Sequence, residues 1–231
     1  MTGHQLTQYR KEKKRTQVQT AKALGVSQTY LSLLESGRRP MTEHLEKKAA
    51  KFFDLPPTEV PSRLSHGEVP PVTDAELAAD LADLGYRGFA YLRRKRPRRK
   101  NPADVLLSAL NAPQREARAV EALPWLLLAF PDMKWNEVTR FAKMNDLQNR
   151  LGFLVNVAGQ MAEKKNDRSL ADLLHTRETE LEPSMLAREG TLCNENMTNA
   201  ERRWLDSNRS LDAKHWRVLT SMTPQSVRYA G

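Results

Sequence analysis

Residues 16–37 carry two short helix-length runs with a single glycine, Gly25, at the corner between them. No other stretch of the chain restricts its fold as tightly. Thr16 and Gln19 form a capping-box pattern: the Thr16 hydroxyl accepts from the amide three residues on, and Gln19 reaches back. This predicts a helix from Gln17 to Leu24. Gly25 permits the left-handed backbone that ends it. Val26 can then pack inward, and Ser27 caps a second helix predicted to run through Ser36, with Gly37 as its stop. In that second helix Leu31 and Leu34 point toward a core. The opposite face carries Gln28, Thr29, Ser32 and Leu33, which is short, mostly polar and uncharged.

Two short helices joined at a tight glycine-containing turn make a helix-turn-helix, and an uncharged polar face on the second suits a major groove. Gln28 can pair with an adenine edge, and Thr29 or Leu33 can touch a thymine methyl; the bland alternative for Gln28 is a solvated helix residue. Arg38 and Arg39, just beyond the second helix, are placed for phosphates rather than bases. Lys13, Lys14 and Arg15 are read equally well as phosphate contacts or as solvated charge. Tyr30 reads as a packing residue with its hydroxyl at the rim.

These residues resemble the Cro/C1 (XRE) family of repressor-type helix-turn-helix proteins. The resemblance rests on Thr16-Gln17, Ala21, Leu24-Gly25-Val26-Ser27-Gln28, Leu31, Leu34-Glu35 and Gly37, with the following helix at residues 43–53, and it covers residues 4–64. It implies a lambda-repressor-like domain of five helices. It also implies that Gln17 and Ser27 cap toward phosphates, that Gln28, Thr29, Ser32 and Leu33 face bases, and that Arg10 and Glu35 form a buried ion pair joining the first helix to the recognition helix. Thr20 stands where the family usually has an aliphatic residue, and Leu33 where a polar reader is commoner.

The rest of the chain is punctuated by proline. Asp54, Leu55, Pro56 and Pro57 stop a helix, residues 58–64 offer at most a short closing one, and residues 65–71 read as a loop. A domain boundary is expected there, giving a DNA-binding domain at 1–65, a linker with one helix and a basic segment at 66–101, and a helical domain at 102–231. The linker helix has a capping box at Thr73 and Glu76 and should end at Gly85. Beyond Pro102, helix-length segments recur at about 103–111, 113–123, 124–130, 135–144, 146–164 and 168–176, with another opened by Thr198 and Glu201. The segment from His215 to Leu219 reads as a further helix. No sustained alternation suggests a strand, so the chain is expected to be all-α.

Charge is uneven along this frame. Of 37 Lys and Arg and 28 Asp and Glu, residues 1–65 hold 12 and 6. Residues 86–100 add 8 basic and no acidic side chains, leaving the remainder mildly acidic. Arg93, Arg94, Lys95, Arg96, Arg98, Arg99 and Lys100 are dense enough to hold DNA flanking an operator by counterion release. The alternatives are docking on an acidic protein and a plain solvated linker. All four tryptophans lie after this segment. Residues 123–130 are apolar enough to be core or interface, while Trp204 and Trp216 mark two helices that either dock on the domain or serve a partner protein.

The single cysteine, Cys193, excludes intramolecular disulfides and a structural zinc site. The five histidines show no metal-ligand spacing, and no nucleophile motif or phosphate-binding loop is present, so neither enzyme activity, metal nor cofactor is expected. No apolar run reaches the length of a membrane span, and no signal peptide is read, so a cytoplasmic protein is expected. The leading expectation is a DNA-binding regulator acting as a homodimeric repressor on double-stranded DNA. An autoregulating antitoxin whose helical domain neutralises a toxin is the alternative, and a small-molecule pocket among the C-terminal helices a third.

Overall fold

In the computed structural model, every residue is described except 65, 66, 68, 70, 99 and 228–231. The chain is mostly helical and divides into two compact units, Met1–Ser62 and Arg63–Gly231, each with its own apolar core. Of the loop expected at 65–71, four residues lie outside the described set, as does Arg99.

The N-terminal unit contains α1 (Gly3–Glu12), α2 (Gln17–Leu24), α3 (Gln28–Glu35) and α4 (Glu43–Phe52). Threonines and a serine start them all: Thr2, Thr16, Ser27 and Thr42 each accept a backbone N–H of the first turn. Their apolar stripes meet in a core of Leu6, Ala21, Leu24, Leu31, Leu34, Leu45, Ala49 and Phe53. The expected fifth helix is only a single 3-10 turn, Pro57–Glu59, because Pro56 and Pro57 supply no N–H and Val60 is already extended. Leu55 and Val60 nevertheless close the core.

The second unit follows with α5 (Asp74–Leu84), α6 (Pro102–Leu110), α7 (Ala117–Glu121), α8 (Leu123–Ala129), α9 (Trp135–Met144), α10 (Gln148–Lys164) and α11 (Arg168–Leu181). After α11 come β1 (Gly190–Thr191), α12 (Asn199–Asn208), α13 (Leu211–His215) and β2 (Val218–Leu219), the two strands pairing in parallel. Among the described residues no helix is long and apolar enough to cross a membrane.

α10 is the centre of this unit. Leu151, Phe153, Leu154, Val155, Val157 and Ala158 are all buried, so side chains are covered on every face of the helix, with α8 and α11 among its packing partners. Gly152 lets Trp216 lie against α10: a Cβ at this position would come within 2.2 Å of the indole. Trp216 is fully buried and donates its indole N–H to Glu178. The 123–130 stretch, left open as core or interface, is core through Leu123, Leu126 and Leu127.

Three expectations need correcting. Residues 66–101 are not a free-standing linker: Leu77, Leu81, Tyr86 and Phe89 belong to the second core, and Tyr86 packs on Trp125 at 5.3 Å between centroids. The helix expected over 113–123 shrinks to α7, because Arg115 donates its backbone N–H to Cys193 and Gln114 bridges to Asn194. The helix expected over 215–219 stops at His215. Arg217 takes a left-handed conformation (φ 53°) and its carbonyl accepts from the Gly190 N–H, which turns Val218 and Leu219 into β2.

Candidate nucleic-acid interface

The corner between α2 and α3 is set by backbone hydrogen bonds that only one local geometry allows. Gly25 adopts φ 72°, ψ 35°; its N–H donates to Lys22, and the N–H of Val26 donates to Ala21. A side chain at Gly25 would strain that left-handed backbone. Ser27 then accepts from the Tyr30 N–H at 3.1 Å, which starts α3 and leaves the Ser27 hydroxyl proton free for an outside acceptor.

α3 has two dissimilar faces. Leu31 and Leu34 are fully buried, whereas Gln28, Thr29 and Ser32 are exposed and Leu33 is half-buried. The Leu33 carbonyl accepts from both the Ser36 hydroxyl and the Arg39 N–H, which folds the chain back at the end of the helix. Arg38 and Arg39 are exposed in that turn.

An ion pair locks the orientation of α3. Arg10 on α1 donates through Nε to one Glu35 oxygen at 2.6 Å and through a terminal nitrogen to the other at 3.0 Å. Gln17, the first residue of α2, donates Nε2 to the same carboxylate at 2.8 Å. Three helices thus meet on one carboxylate whose side chain is 6% exposed. Burial alone would push the Glu35 carboxyl up, but the bonds from Arg10 and Gln17, with the charges of Arg10 and Lys11, hold it below the usual range. Gln17 spends one amide hydrogen on Glu35 and has a second to donate.

Two contributions to this unit went unseen in the sequence. Tyr9 donates its hydroxyl to Glu59 at 3.0 Å, and burial with that carboxylate pushes its pKa up to about 12. Lys48 approaches the Leu24 carbonyl at the C-terminal end of α2. Neither partner lies at helical spacing from the other, so no periodicity would have linked them.

α3 thus presents an exposed, uncharged polar face on a buried support. Residues 6–60 match the helix-turn-helix family model. The N-terminal unit is a helix-turn-helix domain of the Cro/C1 type, a kind of domain that binds DNA. No curated protein and no solved structure matched the chain.

The basic segment lies in the second unit and is more committed than its composition implied. Arg94 pairs with Asp80 at 2.9 Å and with Asp83, its backbone N–H also donates to Asp83, and Lys100 pairs with Asp80. The N–H of Arg98 donates to Asp83 at 2.9 Å. Burial would push the Asp83 carboxyl up, yet the bonds from Arg98 and Arg94 hold it below its usual range. Arg94 and Lys100 therefore drop out as free phosphate ligands. Arg93, Lys95, Arg96 and the side chain of Arg98 remain exposed. Asp80 and Asp83, three positions apart and beyond the first turn where Asp74 and Glu76 serve the helix start, were the signal that could have foretold these pairs.

Proposed function

We propose that the chain is a sequence-specific repressor that binds a two-fold DNA operator as a homodimer and carries out no catalysis. The observation that carries this reading is α3 itself: an exposed, uncharged face of Gln28, Thr29 and Ser32 on a helix held at its base by Arg10, Gln17 and Glu35. Gln28 pairs bidentately with an adenine, Thr29 and Leu33 contact thymine methyls, and Ser32 hydrogen-bonds a base edge. Gln17, Ser27, Arg38 and Arg39 hold phosphates and fix the register. One such helix reads only a few base pairs, so two copies on half-sites about 34 Å apart supply the specificity. DNA in the cytoplasm is the site of action in this reading.

Selection of bound duplexes from a random pool should return a palindrome. Gln28→Ala should then lose about 1–3 kcal/mol of discrimination at one position per half-site. Equal weakening on selected and random duplexes would refute the assignment, and a monomer on the selected duplex in sedimentation would refute the dimer.

A second reading, an antitoxin that also regulates its own synthesis, is favoured by two apolar side chains on the second unit, Trp204 at 59% and Leu211 at 82% exposure. It requires that the chain rescue growth against a toxic partner protein and that Trp204→Asp abolish rescue with DNA binding intact.

A further inference from the structure

We propose that residues 93–98 form a second DNA contact on the second unit, a fixed strap that grips phosphates and reads no bases. The proposal deepens the DNA-binding reading and takes its ligand class from it.

The strap is built rather than loose. Asp80 and Asp83 on α5 are almost fully buried, and together they receive the Arg94 guanidinium, the Lys100 ammonium and the backbone N–H groups of Arg94 and Arg98. Those bonds pin the chain at two points four residues apart, and Pro97 stiffens the span between them. Both carboxylates and two cations are consumed in doing so. Upstream, Arg118 lies over Phe89 at 5.2 Å and Tyr91 at 5.9 Å and donates to the Gly88 carbonyl. This fixes the segment leading into the strap and leaves Tyr91 70% exposed, with a hydroxyl able to donate to a phosphate oxygen.

What the anchoring leaves outside is four cations, Arg93, Lys95, Arg96 and Arg98, none of which has a carboxylate partner among the described residues. Glu76 lies within electrostatic reach of Arg98, its own carboxyl held low first by the Thr73 backbone and then by Lys100 and Arg98. A solvated linker would spread four like charges apart. Here the backbone bonds hold them together, and a regular polyanion relieves the repulsion. Duplex DNA presents one charge per roughly 1.7 Å of axis, which fits a dense cationic strap without any sequence requirement. Because the same chain carries the base-reading helix, DNA held by the N-terminal unit is offered to the strap at high effective concentration.

The test uses the full chain and a fluorescent random-sequence duplex, so that base reading does not enter. Replacing Arg93, Lys95, Arg96 and Arg98 by Gln should lower the slope of log affinity against log salt by about 3–4. Between about 50 and 200 mM salt the unsubstituted chain should accordingly lose roughly a hundredfold more affinity than the variant. A control removing four exposed cations elsewhere on the unit, Lys134, Arg140, Lys143 and Lys164, should leave the slope nearly unchanged. An equal drop in both variants would overturn the strap in favour of a general charge effect. An unchanged slope in the strap variant, with loss of binding to polyglutamate instead, would overturn it in favour of an acidic protein. Circular dichroism and thermal unfolding of both variants check that the fold is kept. Should Gln28→Ala prove neutral, base reading fails while the difference in slope still decides the strap.

Discussion

Thr20 is fully buried in α2, and among the described residues its hydroxyl has no hydrogen-bond partner. Replacing it with valine keeps the branched shape and removes a polar atom that was desolvated without compensation, so Thr20→Val should stabilise the N-terminal unit by about 1–2 kcal/mol in urea unfolding. An equal or lower midpoint would mean that the hydroxyl is satisfied by water. Glu35 presents the opposite case, a buried polar group with full compensation. Its carboxyl is held below the unfolded value, so it contributes stability that is complete above the unfolded pKa of about 4.3 and is lost as pH falls from there through the lower folded pKa. Glu35→Gln should therefore flatten the acid limb of the unit's urea midpoint; an unaltered limb would assign the acid response to other carboxylates. The two residues differ in how legible they were. Thr20 could be seen in the sequence as out of place, but its lack of a partner could not. The Arg10–Glu35 pair followed only from family resemblance, since 25 positions separate its members.

Elements were legible where local chemistry acts alone. The Thr16 and Thr73 capping boxes and the left-handed glycines at Gly25 and Gly85 place α2 and α5 to the residue. They do so because a cap and its helix lie within one turn of each other. Where a distant group competes for the backbone, periodicity misled: the Cys193 carbonyl draws the Arg115 N–H out of the helix expected over 113–123, and the Gly190 N–H claims the Arg217 carbonyl in the one expected over 215–219. Most telling is the packing of Trp216 on α10, which depends on a glycine 64 positions earlier. Gly152→Ala places a methyl inside the indole's volume and should destabilise the second unit by about 2–3 kcal/mol, with a shift of tryptophan emission toward the red. Adding Trp216→Leu should recover part of the loss. If Gly152→Ala alone leaves stability and emission unchanged, the indole is not held where α10 meets it.

At the scale of the whole chain, charge and chemistry are divided between two cores. The N-terminal unit presents the exposed uncharged face of α3 flanked by Arg38 and Arg39, and the second unit presents Arg93, Lys95, Arg96 and Arg98, exposed on a segment anchored to α5. The sequence showed where the positive charge was concentrated. The sum of charge alone did not show that Arg94 and Lys100 are spent on Asp80 and Asp83, because it is the same wherever those side chains point. This division makes discrimination and salt dependence separable quantities. Gln28→Ala should lower the ratio of selected to random affinity without altering the salt slope, since it removes a base contact and no cation. Neutralising the strap should lower the slope on both duplexes equally and leave their ratio intact. The two sets of residues lie in different compact units and share no partner, so the combined variant should show both losses at full size, additive in free energy within about 0.5 kcal/mol. Losses smaller in combination than in sum, measured on the selected duplex by fluorescence anisotropy across a salt series, would mean that the strap acts through the orientation of α3 instead of through phosphates of its own.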